Sequence, residues 1–204
     1  MFLFLDVVSP IPEFSVIEDN KLILNKKITK KPEDKLSDCI FQIYLEIEEN
    51  FDLLDKLEKI AITSGPGSYT SLRVGSAFIS AINISRNIQF SQISAIDIIN
   101  FKSKDLSNYK TGIYIESANN QKFFCSVDSY GKKKYKKIEN DKFEVPKEIN
   151  KIFYNFEKLN LNNRDIKQVK FSFVQEVILN YKNLNFNTET NAEPIYISNN
   201  NILN

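Results

Sequence analysis

The first half of the chain alternates between two hydrophobic periods. Residues 2–8, 13–18 and 22–28 are short runs of apolar, aromatic and β-branched residues, each a strand candidate. Asp19-Asn20-Lys21 separates the second run from the third, and an Asp-Asn tip between two such runs predicts a hairpin. The period then changes. Leu36, Ile40, Ile43, Ile47 and Phe51 recur at spacings of 4, 3, 4 and 4, the stripe of an amphipathic helix with Cys39 and Tyr44 on its flanks. Pro32-Glu33-Asp34-Lys35 supplies a proline and acids suited to that helix's first turn. Fraying is expected near Glu49-Asn50, with a short further helical turn over Leu53 to Leu57. Ile60 to Ser64 reads as a fourth strand, and Leu72, Val74, Phe78, Ile79 and Ile82 mark a helix ending near Arg86-Asn87. Phe90 to Ser94 and Ala95 to Phe101 follow as strand and short helix. The order β-β-β-α-β-α-β predicts a mixed sheet flanked by helices.

The pattern weakens after the polar stretch from Lys102 to Asn108, which reads as a linker. Gly112 to Glu116 and Lys122 to Val127 are strands around a polar turn at Ser117-Ala118-Asn119-Asn120, with further strand or loop from Lys132 to Phe143. Beyond Asn150 the chain is rich in asparagine and lysine, and only Val174 to Tyr181 has a clear helical pattern. Two units follow from this reading, an N-terminal lobe over 1–101 and a smaller C-terminal lobe over 102–204.

Composition narrows the chemistry. A net charge of +1 gives no global pull toward nucleic acid or membrane. The chain has no histidine, which removes the commonest general base and metal ligand. Cys39 and Cys125 stand far apart without a paired spacing, so they read as reduced core residues of a cytoplasmic protein and no metal site is expected. The apolar N-terminus is short, is interrupted by Asp6 and runs into Pro10 and Pro12, a buried strand and no signal peptide; no run is long enough to span a membrane.

Three of the five glycines fall in Gly65-Pro66-Gly67-Ser68-Tyr69-Thr70-Ser71-Leu72-Arg73-Val74-Gly75, behind the fourth strand and before a helix. Strand, glycine loop and helix N-terminus can cradle an anion. This segment lacks the lysine of a phosphate loop, and Pro66 removes one N–H donor. A structural turn made by Gly65, Pro66, Gly67, Ser68 and Thr70 is the better reading, with Ser68 or Thr70 as helix cap. Asp6 closes the first strand, but Val7-Val8-Ser9-Pro10 behind it holds no glycine to admit a phosphate. Lys132, Lys133, Lys134, Lys136 and Lys137 surround Tyr135. A solvated hairpin is the plainer account of this run, and contact with nucleic-acid phosphates the alternative. Ser71 and Gly75, four residues apart, form a small-residue track that permits close helix approach.

The glycine segment resembles the GPGS(F/Y)TG(L/I)R(I/V)G signature of the TsaB (YeaZ) family, with Ser71 in place of a glycine. Ala192-Glu193-Pro194-Ile195-Tyr196-Ile197-Ser198-Asn199 is similar to that family's C-terminal (A)EPxYxR motif, with Ser198 in place of arginine, and the strand ending at Asp6 to its ILAIDT opening. The resemblance implies an α/β protein of the actin-like (ASKHA, ribonuclease H-like) fold, two lobes of mixed sheet with flanking helices. It implies a scaffold without catalysis of its own, serving N6-threonylcarbamoyladenosine synthesis at A37 of tRNAs that read ANN codons. A TsaD-type catalytic subunit and a TsaE-type ATPase are the implied partners. ATP and magnesium would sit on those partners and no cofactor on this chain alone; tRNA would be met through the complex, and the isolated chain could pair with itself. TsaD-type metal binding needs a histidine pair, which this chain lacks. Leu36, Ile40, Ile43 and Tyr44 on one helix and Ser71, Gly75 and Phe78 on the next are read as that interface, with ordinary packing within the lobe as the equal alternative; on the interface reading Gly75→Arg is expected to abolish pairing while leaving the fold soluble. An independent ATP-binding actin-fold enzyme and a stand-alone tRNA-binding module are the competing readings.

Overall fold

Two sheets with one strand order organise the chain. The computed structural model describes residues 1–31, 33–102, 110–139, 143–159, 161, 165–188, 191–198 and 201–203, with Ser198 and 201–203 described by backbone alone. Pro32, the expected linker from 103 to 108, residues 140–142 and Asn199 lie outside the described residues. The first sheet holds β1 (Phe2–Asp6), β2 (Glu13–Glu18), β3 (Lys21–Lys27), β4 (Lys59–Gly65) and β5 (Gln89–Ser94) in the order β3-β2-β1-β4-β5. β1, β2 and β3 pair antiparallel, whereas β4 and β5 join parallel. At the β2–β3 tip Asp19 and Asn20 both have positive φ, as a two-residue type I′ turn requires.

The second sheet holds β6 (Thr111–Ser117), β7 (Gln121–Val127), β8 (Lys133–Ile138), β9 (Lys151–Tyr154) and β10 (Lys167–Lys170) in the order β10-β9-β6-β7-β8. Read from its own first strand, this repeats the order and the strand directions of the first sheet. The fold is thus the expected α/β, actin-like arrangement of two mixed sheets with flanking helices. β9 and β10 were not legible in the sequence, because each is four residues long and begins with lysine.

The helices are α1 (Leu36–Phe51), α2 (Leu53–Lys56), α3 (Tyr69–Arg86), α4 (Ala95–Lys102) and α5 (Phe173–Leu179). Among the described residues none is long and apolar enough to cross a membrane. Asp52 and Asn87 take the left-handed conformation that ends α1 and α3. Glu33, Asp34 and Lys35 precede α1, contrary to their expected place in its first turn. The Asp34 carboxylate instead accepts from the Lys30 and Lys31 N–H groups at 2.9 Å each, holding the preceding loop.

Helices cover the first sheet; the second has a different cover on one face. There Tyr114, Phe124 and Ile152 meet Phe143, Phe156 and Leu159 from connecting segments. Rings pack at 4.9 Å between Phe124 and Phe143 and at 5.5 Å between Tyr114 and Phe156. Large aromatic rings here replace the area a helix would bury. The principal core runs through both lobes, from Phe4 and Phe14 to Phe123, Phe153 and Phe173. Lys102 of α4 and the buried Glu176 of α5 form an ion pair between helices that follow the last strand of each sheet. After α5 the chain returns to the first sheet: Asn187 exchanges backbone hydrogen bonds with Phe90, covering part of the β5 edge.

Candidate functional site

The two sequence motifs lie against each other. The Ile195 N–H donates to the Ser64 carbonyl at 2.7 Å, and the Tyr196 and Tyr69 rings are 4.9 Å apart. Gly65 has φ +113°, and a Cβ on it would come within 2.9 Å of the Ile195 carbonyl oxygen, so glycine alone fits there. Pro66 is buried after a cis bond, and Gly67 is half-buried between Val8 and Ser117. Ser68 stands at the N-cap of α3 as expected, yet its hydroxyl makes no cap bond. Its N–H donates to Ser117 Oγ at 2.8 Å, tying the turn to the second sheet. Thr70 is exposed in the first helical turn.

Around Asp6 the donors of a phosphate cradle are turned inward. Asp6 Oδ1 accepts from the Val8 and Ser9 N–H groups at 2.9 and 3.2 Å and from the Thr63 hydroxyl at 3.0 Å. The Ser9 hydroxyl donates to Oδ2 at 2.6 Å, and the Val7 N–H donates to Thr63 Oγ1 at 2.9 Å. Burial pushes the Asp6 carboxyl above its ordinary range, against these hydrogen bonds from Ser9, Val8 and Thr63. The second lobe has a similar brace: the Glu116 N–H donates to Asn155 Oδ1 at 2.8 Å, and Asn155 Nδ2 donates to the Glu116 carbonyl at 2.9 Å. With Pro66 lacking a donor, the N–H groups of Val7, Val8, Ser9 and Ser68 are all engaged by the protein itself.

Glu13, the cross-strand neighbour of Asp6, is a polar site the sequence reading missed. Only the β1–β2 register places the two carboxyls together. Burial, then the Asp6 charge, push Glu13 up to about 7, while Asn25 donating at 3.1 Å and Lys27 oppose the rise. Its folded value lies above its ordinary 4.5, so the native state holds the proton longer. The stability Glu13 contributes is therefore fully present below pH 4.5 and is lost as pH rises through about 7. Glu13→Gln is expected to flatten that decline, leaving the part due to Asp6. Thermal melts at pH 5 and pH 8 check this; an unchanged difference between the two would contradict the assignment.

The expected interface residues divide between the interior and the surface. Leu36, Ile40 and Tyr44 are buried, Ile43 is half-buried, and Tyr44 packs its ring on Phe14 and Phe78 at 6.2 and 5.3 Å. Ser71 and Gly75 are buried under α3, and a Cβ on Gly75 would stand 2.6 Å from Val7 Cγ1 and 3.2 Å from Ile62 Cδ1. The small-residue track thus seats the helix on the sheet and does not face outward. This corrects the expectation that Gly75→Arg leaves the fold soluble. Exposed on the outer faces of the two helices are Phe41, Tyr69, Arg73, Ala77 and Ile84, with Phe78 half-buried between. Arg73 lies 5.3 Å from the Tyr69 ring centroid and donates to its hydroxyl at 3.3 Å. No group of three or more metal-ligating side chains occurs among the described residues.

Lys133, Lys134, Lys136 and Lys137 lie on β8, an edge strand of the second sheet, where lysines discourage further strand pairing, and Lys132 precedes it in the turn. Lys133 and Lys137 share a face with Tyr135; Lys134 and Lys136 take the other. Lys134 pairs with Asp128 at 3.4 Å, and Lys136 Nζ lies 5.4 Å from the Phe143 ring centroid.

Two sheets of repeated topology, joined at the ends of their first strands, define an actin-like two-lobe protein. Residues 35–196 match the family model TsaD: tRNA N6-adenosine threonylcarbamoyltransferase, and the chain belongs to this family. The solved structures similar to it include a Pseudomonas aeruginosa protein described as uncharacterised with similarity to the peptidase YeaZ. That match has 11% identity and a TM-score of 0.63, covering 97% of this chain and 99% of the other. YeaZ from Pseudomonas aeruginosa matches at 10% identity and TM-score 0.58, covering 96% and 99%. At these identities the likeness is one of fold, and the fold is that of YeaZ. No curated protein matches the chain in sequence.

Proposed function

We propose that this chain is the TsaB-like, non-catalytic subunit of the cytoplasmic machinery that places threonylcarbamoyl on A37 of tRNAs reading ANN codons. It would hold a TsaD-type catalytic subunit, with a TsaE-type ATPase joining the pair and ATP and magnesium bound by those partners. Family membership gives the reaction class. The observation that carries the subunit role is the inward engagement of the Val7, Val8, Ser9 and Ser68 N–H groups, which leaves a phosphate none of these donors. The absence of histidine from the sequence supports the same role. Reconstitution with the two partners tests it: tRNA modification is expected only when this chain is present, and full modification without it would refute the proposal.

Packing supports a choice of partner surface. We place it on the outer faces of α1 and α3, where Phe41 and Ile84 are 61% and 64% exposed. Phe41→Glu is expected to weaken co-purification with the TsaD-type partner by at least about tenfold, in the range of an aromatic anchor. Its melting temperature should stay near that of the parent, since exposed substitutions shift stability by about 0.5 kcal/mol or less. Undiminished co-purification would place the interface elsewhere.

A further inference from the structure

We propose that the β7–β8 hairpin is an RNA-binding finger that stacks Tyr130 on an unpaired base and sets lysines against the flanking phosphates. The turn between the strands is built to hold one conformation. Asp128 Oδ1 accepts from the Tyr130 and Lys132 N–H groups at 3.0 and 2.9 Å. The Gly131 N–H donates to the Asp128 carbonyl at 2.9 Å, and the Asp128 N–H donates to the Lys132 carbonyl at 3.0 Å. Gly131 takes φ +78° with nothing within 4 Å of where a Cβ would stand, so the tip is open on that side. This scaffold leaves Tyr130 94% exposed, a ring with no protein surface to cover. The hydrogen-bonded turn has already lost much of the backbone entropy that binding would otherwise remove, and it presents the ring to solvent.

The charge around it is arranged to match. Residues 128–139 carry five lysines against Asp128 and Glu139, a surplus of 5 − 2 = 3 positive charges. Asp128 is ionised but paired: hydrogen bonds from the Lys132 and Tyr130 N–H groups, together with Lys134 at 3.4 Å, hold its carboxyl below the ordinary range, so its charge is met within the turn. Alternation along β8 puts lysines on both sides of the ribbon, so a strand crossing the tip would meet positive charge on either side. A base offers the flat π face that an isolated ring stacks on, and its phosphates offer the charge. A membrane surface calls for aliphatic side chains beside the lysines, and the tip Asp128-Ser129-Tyr130-Gly131 has none. An acidic protein segment would use the lysines but leave the ring without a partner.

That the RNA is tRNA rests on the function proposed above; the chemistry of the finger does not. The test uses the full chain and a fluorescein-labelled tRNA transcript with an anticodon for an ANN codon, titrated by anisotropy at several salt concentrations. Binding is expected to weaken with salt. Lys132, Lys133 and Lys137 all changed to Gln should lower the slope of log affinity against log salt by about 2, at about 0.7 per lost phosphate contact. Tyr130→Ala should weaken binding about five- to tenfold at unchanged slope; at an exposed tip it tests the idea even if the triple variant folds poorly. Parental affinity in both variants would overturn the proposal. So would equal affinity, with the same sensitivity to Tyr130→Ala, for polyglutamate or for phosphatidylserine vesicles. Reconstituted modification separates the two ideas: activity that depends on the chain without tRNA binding by the chain removes the finger and keeps the subunit role, and the converse keeps the finger alone.

Discussion

Gly75→Arg is expected to unfold the first lobe and leave no soluble protein. The reason is the distance under α3: a Cβ would already stand 2.6 Å from Val7 Cγ1 and 3.2 Å from Ile62 Cδ1, both fully buried. Arginine adds a long charged chain to a position with no room for a methyl group. Overpacking of this kind costs about 1–3 kcal/mol even for small additions, and burying an unpaired charge costs several more. The sum is comparable with the whole stability of a domain, about 5–15 kcal/mol. Gly75→Ala grades the effect. Alanine favours the helix by about 1 kcal/mol over glycine, yet its methyl meets Val7, so a net loss of stability is expected in denaturant titrations. A soluble Gly75→Arg protein with the parental melting temperature would refute the packing. Loss of pairing in this variant would report a lost fold, which is why the exposed Phe41 is the better probe of the partner surface.

Asp6→Ala is expected to cost about 3 kcal/mol or more, whereas Asp6→Asn should cost about 1 kcal/mol or less. Alanine strands the buried Val8 N–H and the Thr63 hydroxyl, which donate to Oδ1 at 2.9 and 3.0 Å. An unsatisfied buried donor costs about 1–3 kcal/mol. Asparagine keeps an acceptor oxygen for both donors and removes a carboxyl that burial has already pushed up. At this chain length each kcal/mol shifts the melting temperature by about 2–4 °C, so calorimetry separates the variants clearly. Equal destabilisation by both would show that the charge itself matters. In the reconstituted complex Asp6→Asn should leave modification at the parental level, because Asp6 braces the end of β1 and holds no magnesium in the proposed role.

The sheet of the first lobe was legible because its signals are local. The Asp19-Asn20 tip, the stripe from Leu36 to Phe51 and the strand before Gly65 each declare themselves within at most 16 residues. β9 and β10 escaped because four residues make too short a pattern, and their pairing to β6 and to each other is settled by contacts across the lobe. The interface residues were read outward for a related reason: a helical stripe shows which side of α1 is apolar, not what covers it. Tyr44 meets Phe14 and Phe78, Ser71 is buried and Gly75 lies against Val7 and Ile62, so the apolar side was already occupied.

Residue types along the chain were enough for the family motifs, the strand and helix order of the first 100 residues, and the absence of histidine chemistry. Each depends on residue type and near-neighbour spacing alone. Only the tertiary structure decided that Ile195 and Tyr196 close on the glycine turn, that Ser117 takes the Ser68 N–H, and that Glu13 shares a buried corner with Asp6. Those contacts join residues far apart in the chain or opposite each other across strands, where direction and distance are set by how the two sheets pack.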